Sequence, residues 1–187
     1  GRPGITHAPH NGRPRAPSTP THADTGRPQV VFCGGCRCGG LFPLLCTDSG
    51  VWKGPNGPKK SPPASPPAVT DHALAYDAAR GQVVFFGGAL TNGRGERNET
   101  WVWDGASWTQ KSTSASPAAR FDHTMAFDLA HSQIILFGGF SFAHGFFSDT
   151  WSWDGTNWTQ KSPQTSPLAR GAQGMAYDSV HGQIVMF

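Results

Sequence analysis

A chain of 187 residues can build a sizeable core, and 37% hydrophobic residues with 24 Gly and 16 Pro favour many short strands over long helices. The net charge of +3 is uneven: residues 1–60 carry eight Lys/Arg and two Asp/Glu (+6), residues 61–187 seven and ten (−3). A mildly acidic repeat region argues against a nucleic-acid partner, and apolar clusters such as LFPLL at 41–45 fall far short of the roughly 20 residues of a membrane span.

Residues 1–29 are rich in Pro, Gly, Arg, His and Thr and show no periodicity. Such a segment cannot bury enough apolar surface to offset its ordering entropy, so disorder is expected. VVFCGG at 30–35 then begins a pattern that returns as VVFFGG at 83–88 and IILFGG at 134–139. Four apolar residues in succession predict a strand buried on both faces, and the glycine pair predicts a sharp exit with close backbone packing.

Cys33, Cys36, Cys38 and Cys46 follow closely. CGGCRC taken alone suits zinc. Against this, Cys33 stands where the later copies have Phe86 and Phe137, and no second spaced Cys/His pair follows. Incidental cysteines are the expectation, with zinc and disulfides as alternatives. GVWKGPNGPKKS at 50–61 is a degenerate copy of a stretch that comes later, with Trp52 matching Trp103 and Gly57 standing where Trp108 would be. Repeat decay or a local reading-frame error would each produce it.

From residue 61 the pattern is clean. HALAYD at 72–77 matches HTMAFD at 123–128 and QGMAYD at 173–178, and TWVWDGASWTQKS at 100–112 matches TWSWDGTNWTQKS at 150–162. A fixed period marks a repeat architecture. Each repeat holds four strands, here a to d. Asp77, Asp128 and Asp178 close strand a, and Asp104-Gly105 and Asp154-Gly155 turn the chain between c and d, since Asp-Gly between apolar runs is a hairpin signal. The loop between Gly88 and Trp101 is one residue longer than that between Gly139 and Trp151.

The double-glycine strand, the aromatic pairs Trp101/Trp108 and Trp151/Trp158, the Arg before strand a (Arg120, Arg170) and a period of roughly 50 residues resemble kelch repeats. The TWxWDG wording is similar to kelch proteins of bacterial origin. The resemblance implies an all-β fold of four-stranded antiparallel β-propeller blades. The expected divisions are a basic segment at 1–29, a degenerate blade at 30–68, blades at 69–117 and 118–167, and the start of another at 168–187. Because the chain starts at Gly1 and stops at Phe187 in mid-pattern, an open arc from an incomplete protein is expected. The compartment stays open; an extracellular or cell-envelope protein fits a chain without its natural start.

In an up-and-down blade alternate loops share a face. The b–c loops (89–99, 140–149) and d–a connectors (113–120, 163–170) therefore form one surface, and loops on a rigid scaffold are where binding residues gather. Arg94, Arg97, Arg120, Phe142, His144, Phe146, Phe147 and Arg170 are its candidate binding residues. FSFAHGFF at 140–147 makes a sticky patch if exposed and a rim plug if folded over. Arg120 and Arg170 have a structural alternative, an ion pair with the acid before strand c, Glu99 or Asp149. The Trp residues belong to the blade-to-blade core, with a carbohydrate-stacking platform as the lesser option.

No nucleophile–base pair, phosphate loop, metal cluster or cofactor motif can be named. Galactose oxidase, a copper enzyme, is a kelch relative, but the tyrosines here, Tyr76 and Tyr177, sit inside repeated strands and map onto no copper site. The reading is a non-catalytic scaffold without cofactor or metal, binding a protein or carbohydrate ligand through its loop face. The alternative is a piece of a carbohydrate-active or galactose oxidase-like enzyme whose active site lies outside this chain.

Overall fold

In a computed structural model the described residues are 30–32, 50–52, 62–90 and 95–187, those at 30–32 and 50–52 by backbone alone. The basic segment and the four cysteines lie outside them. The described residues are all-β, with no helix. In chain order the strands are β1 (Val30–Phe32), β2 (Gly50–Trp52), β3 (Val69–Thr70), β4 (Ala73–Asp77), β5 (Gln82–Phe86), β6 (Ala89–Leu90), β7 (Thr100–Trp103) and β8 (Trp108–Lys111). There follow β9 (Thr124–Asp128), β10 (Gln133–Phe137), β11 (Phe140–Ser141), β12 (Gly145–Phe146), β13 (Thr150–Trp153), β14 (Trp158–Lys161), β15 (Met175–Asp178) and β16 (Gln183–Met186).

Two four-stranded antiparallel meanders result, β4-β5-β7-β8 and β9-β10-β13-β14, and β15 pairs with β16 as the same motif begun again. None of these sheets closes into a barrel. The first strands keep the register of the later copies. Val30 faces Trp52 and Val31 faces Val51 in β1–β2, as Val83 faces Trp103 and Val84 faces Val102 in β5–β7. The degenerate stretch therefore retains the b–c pairing.

Why these residues pair is visible in the turns. Asp104 Oδ1 accepts the backbone N–H of Ala106 and Ser107 at 2.8 Å each, and Asp154 Oδ1 accepts those of Thr156 and Asn157 at 2.7 and 2.8 Å. An Asp side chain that caps its own turn sets the hairpin register locally. After strand a the Asp recruits a nearby base: Arg80 Nη1 lies 2.9 Å from Asp77 Oδ2, and His131 and His181 Nδ1 lie 2.7 and 2.6 Å from Asp128 and Asp178.

The pleat gives each sheet a bulky face and a slimmer one. In the second meander Phe127, Ile134, Trp153 and Trp158 stand in one cross-strand row, while Ala126, Ile135 and Ser152 occupy the row behind. The bulky face packs on the slim face of the first meander, Ala73, Ala75, Val84, Phe86 and Val102. Trp153 and Trp158 are 0% and 2% exposed at that interface, so each contributes most of the roughly 150–250 Å² a large aromatic can bury. Trp158 also donates its indole N–H across the interface to Thr100 Oγ1 at 2.9 Å. Trp103 and Trp108, the equivalent pair of the first meander, are buried with Val69 and Phe85. Strand a of each unit lies beside strand a of the next, with β9 between β4 and β15.

Candidate functional site

The glycine pairs build the loop end of the sheets. Gly88 N donates to Arg120 O at 2.9 Å, Arg97 N to Gly88 O at 2.8 Å and Arg120 N to Arg97 O at 3.1 Å. The next unit repeats this lock: Gly139 N to Arg170 O at 2.8 Å, Phe147 N to Gly139 O at 2.9 Å, Arg170 N to Phe147 O at 3.1 Å. These bonds tie each b–c loop to the lead of the following strand a and put both on one face. Gly87 and Gly138 have φ of +68° and +66°, and a Cβ there would stand 2.6 and 2.5 Å from the carbonyl oxygens of Arg120 and Arg170. Only glycine admits that approach.

Each b–c loop also pairs with itself (Ala89 with Glu96, β11 with β12) and with the lead of its own strand a. β3 pairs with β6, β11 pairs with β12, and Phe121 bridges to Phe140. Two-residue strands leave no periodicity to read, so these pairings were invisible in the sequence.

Arg120 is not on the accessible surface. It is 0% exposed, and its Nη1 and Nη2 donate to Asp149 Oδ1 and Oδ2 at 2.6 and 2.8 Å. It also donates to the carbonyls of Gly138 and Ala118 at 3.0 Å each, and its guanidinium lies 3.9 Å from the centroid of Phe147. Of the two readings of this arginine, the ion pair describes its place, and Phe147 serves it from below. Burial alone would raise the Asp149 carboxyl, but the bonds from Arg120 and Trp151 hold it below the usual range.

The other candidates spread over the face. Arg97 lies 3.5 Å from Glu99, and its Nε is buried without a partner. Arg170 donates its Nε to Leu168 O at 3.1 Å and has no carboxylate partner among the described residues. Arg94 lies outside the described residues. His144 is exposed, with Nδ1 3.3 Å from Ser141 Oγ. A Ser–His contact invites a catalytic reading, but Ser141 is 1% exposed and its hydroxyl donates to Glu96 and not to His144. Among the described residues no group of three or more His, Cys, Asp or Glu is placed to hold a metal ion.

The structure gathers one feature that none of these cations forms. Phe121, Phe140, Phe142 and Phe146 make a continuous aromatic cluster with centroid separations of 4.9 to 5.9 Å. Phe142 and Phe146 are 60% and 58% exposed. Both were candidates from the sequence; Phe121 was not. The signal was available, because Phe121 stands where the neighbouring copies have Thr70 and Gly171.

Beside the cluster lie two carboxylates that the sequence reading also passed over. Asp71 and Asp122 hold equivalent places just before strand a, both with positive φ (56° and 55°), and Asp122 N donates to Asp71 O at 2.9 Å. No cation pairs with either among the described residues. Burial, and then the charge of Asp71, push the Asp122 carboxyl above its ordinary value.

Beneath this face, His123 is buried with neither ring nitrogen hydrogen-bonded. Burial, then the charges of Arg120 and His72, lower its pKa to about 3 although the Phe86 carbonyl lies close. Its equivalent in the next copy is Gln173, whose Nε2 donates to the matching carbonyl of Phe137 at 3.0 Å. Burial lowers His72 to about 4, against the opposing charge of Asp71. His72 and His123 stand at one repeat position, just before strand a.

No protein-family model and no curated protein matches the chain. Among the described residues no helix is long and apolar enough to cross a membrane, which is silent on β-barrels.

Proposed function

We propose that this chain is a run of kelch-type β-propeller blades acting as a non-catalytic scaffold that binds a protein ligand through its loop face. The observation that carries the reading is the exposed cluster of Phe121, Phe140, Phe142 and Phe146 on the b–c hairpin. Burying two large, majority-exposed aromatics in a partner would supply a typical interface anchor. The four-stranded meander order and the repeated glycine lock support the blade assignment. The buried, hydrogen-bonded state of Ser141 argues against chemistry on that loop.

The test is selection on the immobilised 187-residue chain from a random-peptide display library, beside a glycan array. Peptide binders that are lost in the Phe142→Ser/Phe146→Ser double variant, with its melting temperature kept, support the proposal. Binders indifferent to these substitutions, glycans as the sole ligands, or no binder at all overturn it.

A further inference from the structure

The charge beside the aromatic cluster names the chemistry of its partner. A carbon placed as a side-chain atom on Gly171 would lie 3.2 Å from Asp122 Cβ and 3.3 Å from Phe146 Cε1, so the acid and the exposed ring flank one point. Asp71 is joined to Asp122 by backbone, and Ala172 N donates in turn to Asp122 O at 2.8 Å. Asp122 thus stands at the Phe146 edge of the aromatic cluster, Asp71 follows one backbone hydrogen bond away, and no cation of the described residues pairs with either. Of the nearby described cations, Arg120 is held by Asp149, Arg97 lies 3.5 Å from Glu99, and Arg170 donates its Nε to Leu168 O; none forms an ion pair with Asp71 or Asp122. His144 faces Ser141.

Resting on the loop-face reading, we infer that the occupant is a peptide segment presenting a Lys or Arg next to an apolar residue. The cation seats between Asp71 and Asp122, and the apolar side chain seats on Phe142 and Phe146. Three physical arguments favour this occupant. An unpaired pair of neighbouring carboxylates repels itself, and a cation relieves that repulsion where neutral hydroxyls do not. Phenylalanine faces attract cations and hydrocarbon alike. An acidic partner would meet like charge at the centre of the surface.

The composition of the selected peptides is the readout, taken on the unmodified chain. Enrichment of Lys or Arg adjacent to apolar residues supports the inference. So does binding that weakens about tenfold when Asp71 and Asp122 are both changed to Asn, and that weakens with added salt. Asp71 is exposed and Asp122 half-buried, and Trp fluorescence on heating checks that the variant stays folded. If peptides depend on Phe142 and Phe146 but show no cationic preference, the loop-face reading stands and this inference falls. If selected peptides are acidic, or bind the Asn variant equally, it falls as well. If no binder depends on those phenylalanines, both readings fall together.

Discussion

Mild acid should destabilise this protein through His123, and the repeat itself supplies the control. The folded imidazole titrates near about 3, because burial and the Arg120 charge disfavour the cation. In the unfolded chain it titrates near about 6.5. Between those values the unfolded state holds the extra proton, so stability is complete above the unfolded value and falls as the pH drops through it. From about pH 7 to about pH 5 the loss is about 2 kcal/mol from this residue. His72 acts in the same direction from about 4 and is present in both proteins compared. The lowered carboxyls, Asp128 and Asp149 among them, release their stabilisation as the pH falls through the ordinary carboxylate value of about 3.8 towards their folded values, below this window. His123→Gln installs the residue found at the equivalent position 173, where the amide donates to a strand-b carbonyl. Denaturant unfolding followed by Trp fluorescence at several pH values is the assay. The variant should match or exceed the parent near neutrality and lose about 2 kcal/mol less on acidification to about pH 5. Equal losses in parent and variant would refute the assignment of the proton to His123.

Trp158→Ala should cost about 3–5 kcal/mol in denaturant titration, since it empties a 2% exposed site and orphans Thr100. Asp149→Ala should cost about 3–5 kcal/mol by leaving the Arg120 guanidinium buried without its carboxylate, and Arg120→Lys should not preserve stability because it loses the two-pronged geometry. Gly87→Ala should be far worse than Gly105→Ala: the first drives a methyl against the Arg120 carbonyl and the His123 ring, the second meets nothing within 4 Å and bears about 1–2 kcal/mol of left-handed strain. Thermal melting of the two alanine variants side by side checks the order.

Much of the fold was legible because the repeat wrote it more than once. Strand a was read as 72–77 and is Ala73–Asp77; the apolar runs before the glycine pairs fall in β5 and β10. The Asp-Gly turns and the shared face of the b–c loops and d–a connectors also follow from pattern alone. The site was harder, because a binding surface is what repeats do not share. Phe121, Asp71 and Asp122 become neighbours of the loop only through the Phe121–Phe140 bridge and the strand-lead bond from Asp122 to Asp71. Both contacts recur between units as backbone pairings, Thr70 with Ala89 and Ala172 N to Asp122 O, but a backbone pairing leaves no mark on which side chains stand there. Arg120 was recognised as having a choice between ligand and ion pair; its burial, which decides the matter, depends on Phe147 closing beneath it.

The two full units differ most instructively at that arginine. In the second, Arg120 supplies the cation, Asp149 the acid and Phe147 the ring. In the first, Val69 takes the place of Arg120, Glu99 that of Asp149, and Arg97 that of Phe147, so the cation arrives from the b–c loop instead and stands 3.5 Å from Glu99. What stays constant is the acid and its bond from the following Trp: Trp101 Nε1 donates to Glu99 at 3.0 Å, and Trp151 Nε1 to Asp149 at 2.7 Å. The acid before strand c therefore anchors the Trp that opens the strand, and either loop can provide its counter-charge. A scaffold satisfied by two different arrangements leaves its loop residues free to diverge. Phe142 and Phe146 lie majority-exposed on such a loop, outside the described cores of the two four-stranded sheets.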